Sequence, residues 1–210
     1  MRCCGYDEFF DEGMARRDAR RYRRKGLKGS ARRIVETLLA CGVDGAEVLE
    51  IGGGIGAIDV ELLEAGAARA TVLELSPGYE TEAEALARDH GLEGRIERRL
   101  GDVVVRPEVA GRADLVVMER VVCCYPDAAA LVTAAASRSR RMLVLTYPRY
   151  GLLARAVIAG ANALLRVRGN PFRAYAHAPA TIADAARRAG LRPAGPERGV
   201  VWRLAAFERA

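Results

Sequence analysis

The chain has 210 residues, half of them apolar, and a formal net charge of +6. That length bounds it to one ordinary domain with material for a sizeable core. No charged segment followed by an apolar core opens the chain, so no signal peptide is expected. The longest apolar stretch, Leu152 to Leu165, is broken by Arg155 and Asn162 and is too short and too polar for a transmembrane helix. A soluble cytoplasmic protein is the expectation. Five cysteines, four of them in the adjacent pairs Cys3-Cys4 and Cys123-Cys124, fit neither a secreted disulfide framework nor C-x-x-C metal spacing, so no metal is assigned.

The chain opens with a polar, charged stretch expected to be helical after Tyr6, with Phe9, Phe10 and Met14 as a short apolar stripe. The arginine-rich run from Arg16 to Arg33 has two readings, a nucleic-acid patch or a solvated helix face. The scarcity of interleaved aromatics beyond Tyr22 favours the second, so nucleic acid is not the expected partner. Ser30 reads as the N-cap of a second helix that ends near Cys41, before Gly42.

An alternating pattern then begins. Strands are expected at Ala46–Ile51, Ala70–Leu75, Ile96–Leu100, Asp114–Met118 and Met142–Thr146. Helices are expected between them, at Ile55–Ala65, at Tyr79–His90 and from about Asp127 to before Arg140. Strands separated by helices imply right-handed βαβ units and a parallel sheet. The tail departs from this rhythm. It reads as an apolar helix over Tyr150–Val167, a Gly169-Asn170-Pro171 loop, a helix over Pro179–Ala189 and two hairpin-like segments, Leu191–Arg198 and Val200–Phe207. A terminal hairpin would place an antiparallel strand at the sheet edge.

The densest chemical signal is Glu50-Ile51-Gly52-Gly53-Gly54-Ile55-Gly56, between the first strand and its helix. Glycines there let a ligand lie against bare backbone, and the helix N-terminus presents free N–H groups to the same place. Two cofactor classes compete. Gly52, Gly54 and Ala57 fit the G-x-G-x-x-A dinucleotide fingerprint, with Glu74 ending the second strand where a ribose acid belongs. That reading makes the chain an NAD(P)-dependent oxidoreductase. Against it, Glu50 at the mouth of the first strand opposes a pyrophosphate and suits a ligand carrying sulfonium and ammonium groups. A non-catalytic or RNA-binding cofactor module is a further alternative.

The run E-x-G-G-G-x-G resembles motif I of class I S-adenosylmethionine-dependent methyltransferases. Leu100-Gly101-Asp102-Val103, closing the third strand, and the terminal strand pair fit the same family. The segments Val121-Val122-Cys123-Cys124-Tyr125-Pro126-Asp127, Asp18 to Leu27 and Phe172 to His177 resemble its magnesium-protoporphyrin O-methyltransferase-like branch, with Cys124 where those enzymes usually carry a histidine. The resemblance implies a Rossmann-like three-layer α/β sandwich: a seven-stranded, mostly parallel sheet with an antiparallel last strand and an N-terminal helical lid. It divides the chain into a lid (1–43), a cofactor core (44–147) and substrate-side helices with the terminal strand pair (148–210).

By the same resemblance, Glu50, Gly52, Gly53, Gly54 and Gly56 hold the methionine part of S-adenosylmethionine. Glu74 accepts the ribose hydroxyls, Leu75 and Val103 sandwich the adenine, and Gly101 with Asp102 reads its amino group. Tyr22 and an arginine, Arg21 or Arg24, reach the methionine carboxylate from the lid. The product would be S-adenosyl-L-homocysteine.

The Met118–Asp127 loop carries no Asn/Asp-Pro-Pro-Tyr box, which counts against methylation of DNA bases or amides. The expected acceptor is a small, fairly apolar molecule methylated at oxygen. A general base is needed only for a neutral hydroxyl, and the candidates are Glu119 (also a cofactor-side residue), His177 and Tyr125. Gly151 to Leu165 has two readings: a helix that builds an apolar acceptor pocket, which is favoured, or one that docks at a membrane surface.

Overall fold

The computed structural model describes residues 5–210; the Cys3-Cys4 pair lies outside them. Three helices come first: α1 (Tyr6–Phe9), α2 (Glu12–Lys25) and α3 (Gly29–Ala40). Asp11 caps α2 by accepting from Met14 N. Helix α3 starts two residues earlier than Ser30 as N-cap would set, at Gly29 with Lys28 as N-cap. Ser30 is buried inside the helix, and its hydroxyl is committed elsewhere.

The βα alternation follows as β1 (Glu47–Ile51), α4 (Ala57–Glu64), β2 (Arg69–Glu74), α5 (Glu80–Asp89), β3 (Ile96–Leu100), β4 (Ala113–Met118), α6 (Ala128–Arg138) and β5 (Ser139–Pro148). Then come α7 (Leu152–Val167), α8 (Pro179–Arg188), β6 (Leu191–Pro193) and β7 (Trp202–Arg209). The expected hairpin is there, with a much shorter first arm than Leu191–Arg198.

The seven strands form one sheet in the order β3-β2-β1-β4-β5-β7-β6. Strands β1 to β5 pair in parallel, and β7 is antiparallel to both neighbours, β5 and β6. Order and direction agree with the expected mostly parallel sheet. They depart from the all-parallel 3-2-1-4-5-6 dinucleotide fold, in which no antiparallel strand is wedged beside β5.

Central strands with helices on both faces are buried on both sides and read as near-continuous apolar runs. In β4, Leu115, Val116, Val117 and Met118 have no exposed surface. One core layer joins Ile34, Leu38, Val48, Ile58, Leu62 and Val117 beneath α3 and α4. The other joins Leu49, Val116, Leu131, Leu143, Ile182 and Phe207 beneath α6 and α8. Side chains at successive positions of one strand point to opposite faces, so Val116 and Val117 serve different layers. The strand order also reverses between the parallel neighbours β1 and β4: from β1 the chain builds outward through β2 to β3, then returns to lay β4 on the other side of β1. A crevice opens at their C-terminal ends, where open α/β sheets bind ligands.

Helix α7 is the exception to this packing. None of its residues is buried, so the favoured expectation of a helix lining an apolar pocket is not met. No helix among the described residues is long and apolar enough to cross a membrane.

Candidate functional site

A cavity of about 720 Å3 lies over the C-terminal ends of β1, β2, β3 and β4, roofed by α2 and the start of α3. The glycine loop is its floor. Gly52, Gly54 and Gly56 have φ of 71°, 53° and 74°, a region other residues enter only with strain. A Cβ on Gly52 would stand 2.5 Å from Val121 Cγ2, and one on Gly53 would stand 2.6 Å from Val72 Cγ1 and 2.9 Å from Glu50 Oε2. At these two positions a side chain would strike the neighbouring wall.

Glu74 ends β2 and rims the cavity. Its Oε2 accepts from Gly54 N at 3.0 Å, and its Oε1 accepts from Leu75 N at 2.8 Å. Oε1 also accepts from Ser76 N at 3.3 Å, so one carboxylate joins the glycine loop to the following turn and, of about four acceptor sites, the one left on Oε2 is open to a ligand hydroxyl. At the next strand end, Asp102 Oδ1 accepts from Val104 N at 2.8 Å, capping a turn rather than a helix. The Tyr125 hydroxyl donates to Asp102 Oδ2 at 3.0 Å, so the β3 and β4 loops are bridged across the opening. Leu75, Gly101 and the buried Val103 complete that end.

Glu50 is buried at the end of β1 against the carboxyl of Asp59, and no N–H group among the described residues reaches its Oε2. Burial, then the charge of the fully buried Asp59 on α4, push its carboxyl well above the usual carboxylate range. Burial also lifts Asp59 to about 6, less far because Glu50 donates to it and the Arg98 guanidinium is near. Arg98 in turn donates to Gly54 O at 2.9 Å and pairs with Glu80 at 2.9 Å. A chain of buried polar groups therefore runs from the cavity floor to α5. Asp59 and Arg98 were missed in the sequence; the signal was a charged residue on an otherwise apolar helix face (Ile58-Asp59-Val60).

On the far side, Glu119 Oε1 accepts from the Ser30 hydroxyl at 2.5 Å and pairs with Arg120 Nε at 3.0 Å. Arg120 alone among described non-glycine residues has positive φ, 58°. Its N–H donates to Thr146 Oγ1 at 2.9 Å and its guanidinium lies 4.8 Å from the Trp202 ring centre. A strained backbone held by several partners marks a place where geometry is fixed at some cost. Cys123 and Cys124 are free thiols with sulfurs 3.8 Å apart, and Cys124 lines the cavity.

The other sequence-selected residues fall less uniformly. Tyr22 lines the cavity, yet its hydroxyl donates to Glu61 on α4 at 3.1 Å; burial and that carboxylate raise its pKa. Arg21 lines the cavity and pairs with Asp18, whereas Arg24 is exposed and lies outside the lining. Arg17, one helical turn from Arg21, is the second lid arginine at the rim and was not singled out. His177 is a correction: it does not line the cavity, and its Nε2 sits 2.9 Å from Tyr125 O, holding the β4 loop from behind. Phe10 and Met14 of the amino-terminal stripe do line it, as does Tyr6 before them; Tyr6 and Phe10 pack on Phe172. They are fixed through Phe172, whose ring stacks on Phe9 at 4.2 Å, and through Tyr6 Oη donating to Cys124 O at 2.8 Å. Several arginines of the Arg16–Arg33 run are engaged with carboxylates: Arg16 with Glu12, Arg23 with Glu82 and Asp89, Arg32 with Glu36.

The sheet order, its antiparallel seventh strand and the glycine-floored crevice define the class I methyltransferase fold. The structure of magnesium protoporphyrin IX methyltransferase from Synechocystis, with bound S-adenosylhomocysteine, is similar over 97% of this chain and 98% of that one, at 21% identity and a TM-score of 0.73. An O-methyltransferase family 2 protein from Planctomyces limnophilus, in complex with apigenin, matches 95% of this chain and 62% of its own at 21% identity and a TM-score of 0.69. A putative RNA methyltransferase from Pyrococcus horikoshii shares the fold at 13% identity over 86% of this chain and 84% of its own, with a TM-score of 0.59. No protein-family model and no curated protein matches the sequence.

Proposed function

We propose that this chain is a class I S-adenosylmethionine-dependent methyltransferase that methylates a small, fairly apolar molecule at oxygen. It would stand nearest the magnesium-protoporphyrin O-methyltransferase-like branch. The observation that carries the reading is Glu50: a buried acid on the cavity floor, set against the buried Asp59 and beside a glycine loop that a single Cβ would block. Two buried acids at one place fit a ligand that brings its own cation and disfavour a pyrophosphate. The full-length overlap with a structure holding S-adenosylhomocysteine supports the same choice over a nicotinamide cofactor.

The cofactor supplies a methyl group on a sulfonium, already activated for in-line displacement. The protein's share is mainly placement, which can account for much of the rate. In this reading Glu50 and Gly52 to Gly56 seat the amino-acid end, with Tyr22, Arg21 and Arg17 closing from the lid. Arg17 and Arg21 offer guanidinium forks for a carboxylate in place of the exposed Arg24. Glu74 takes the ribose hydroxyls, while Leu75, Val103, Gly101 and Asp102 hold the adenine.

Glu119 is the general base of choice when the acceptor is a neutral hydroxyl. It lines the cavity and is oriented by Ser30 and Arg120. Tyr125 serves to fix Asp102, and His177 to position the loop that carries Tyr125. Residues up to 43 act as the lid and 44–147 as the cofactor core, whereas 148–210, which supply no residue to the cavity lining, complete the sheet with the terminal strand pair.

Calorimetry with S-adenosylhomocysteine and with NAD(H) tests the reading directly. Binding of the first and not the second is expected, and Glu74→Ala should weaken it at least tenfold. Saturable NAD(H) binding with none for S-adenosylhomocysteine would overturn the assignment.

A further inference from the structure

Helix α7 is the unabsorbed feature of this molecule. Leu153, Val157, Gly160, Leu164 and Val167 fall at spacings of four, three, four and three residues, which align them on one helical face. Of these, Leu153, Val157, Leu164 and Val167 are 79%, 63%, 49% and 86% exposed. The inner face is the half-buried one of Ala154, Ile158, Asn162 and Leu165. Asn162 fixes that orientation: its Nδ2 donates to Ala174 O at 2.8 Å and its Oδ1 accepts from Ala174 N at 2.9 Å. The apolar stripe therefore points outward as a consequence of the fold. Leu152, Val200 and Val201 extend it, at 82%, 75% and 70% exposure, and Arg149 N donates to Val201 O to hold the hairpin tip beside the chain entering α7.

The charge on α7 and the chain flanking it is of one sign, and Glu197 near the hairpin tip is paired with Arg203. From Ala128 to Ala183 the sequence contains no acidic residue and eight arginines. Arg149, Arg155, Arg166 and Arg168 are exposed, and none of them forms an ion pair among the described residues. This contrasts with the Arg16–Arg33 run, where carboxylates answer several of the arginines.

We infer that α7 is a membrane-surface docking helix that seats its leucine and valine stripe in the interface of an anionic lipid bilayer, with the flanking arginines on lipid phosphates. An amphipathic helix with a basic border and no acid binds such a surface through both terms together, apolar burial and electrostatic attraction. A second copy of this chain fits less well, because stripe-to-stripe contact brings two unpaired arginine sets face to face. The proposal is independent of the methyltransferase reading.

Sedimentation of the full chain with vesicles tests it, using phosphatidylcholine alone and phosphatidylcholine mixed with phosphatidylglycerol. Co-sedimentation with the mixed vesicles is expected, weaker on the neutral ones and falling as salt is raised. Leu153→Asp with Leu164→Asp should abolish it while the thermal midpoint stays within a few degrees of wild type, since both side chains already face water. Each of Arg155→Gln, Arg166→Gln and Arg168→Gln should cost about fivefold in partition. Absence of binding to anionic vesicles at low salt would overturn the proposal, and so would binding that survives the double aspartate variant. A concentration-dependent dimer that the same variant dissociates would assign the stripe to a second copy instead.

Discussion

The Ser30 hydroxyl donates to Glu119 Oε1 at 2.5 Å, joining the first turn of α3 to the end of β4 across 89 positions of sequence. Ser30 is 1% exposed and Glu119 lines the cavity, so this bond couples the roof of the cavity to the wall that carries Glu119. Removing a hydrogen bond to a charged partner costs about 1.5–3 kcal/mol. Ser30→Ala should lower unfolding free energy by about that amount in urea titrations. An unchanged midpoint would mean that Arg120 alone suffices to hold Glu119.

The Glu50–Asp59 pair predicts a proton linkage for the cofactor. In the free protein burial and the charge of Asp59 favour the protonated form of the Glu50 carboxyl. A ligand ammonium beside it favours the ionised form, so binding releases a proton. Affinity should then rise with pH, by up to about tenfold per unit, until the acid is ionised without ligand, and level off above. Calorimetry of S-adenosylhomocysteine in two buffers of different ionisation enthalpy would count the proton. Equal enthalpies in both buffers, with an affinity independent of pH, would refute the linkage.

Asp59 also predicts how stability varies with pH. Its folded pKa, about 6, lies above the unfolded value of about 4. The folded state therefore binds more protons in that interval, and stability is lost as pH rises through it. Asp59→Asn removes this contribution. The wild type should lose stability relative to Asp59→Asn between about pH 4 and about pH 6. Parallel stability curves across the window would contradict the burial argument.

Gly52 combines a φ of 71° with a Cβ position 2.5 Å from Val121 Cγ2. Gly52→Ala should therefore destabilise the fold by about 1–3 kcal/mol through strain and displace the Val121 wall of the cavity. Loss of S-adenosylhomocysteine affinity by at least tenfold is expected alongside. Gly94→Ala is the control, since a Cβ there meets nothing within 4 Å. Equal behaviour of the two variants would remove the close-approach role from Gly52.

The sequence by itself determined the βα alternation, the strand–glycine–helix floor and the acids at the three successive strand ends, Glu50, Glu74 and Asp102. These are legible because each depends on a local period or a short spacing: buried parallel strands read as apolar runs, and tight turns demand glycine. The tertiary structure alone decided which distant groups meet. Asp59 and Arg98 beneath Glu50, Ser30 against Glu119 instead of at a helix cap, and Tyr125 on Asp102 are pairings between elements that only the sheet order brings together. The same order turned His177 to the back of the β4 loop, left Arg24 in water and pointed the apolar face of α7 outward. Helical periodicity states that a face exists; the contacts of Asn162 with Ala174 decide which way it looks.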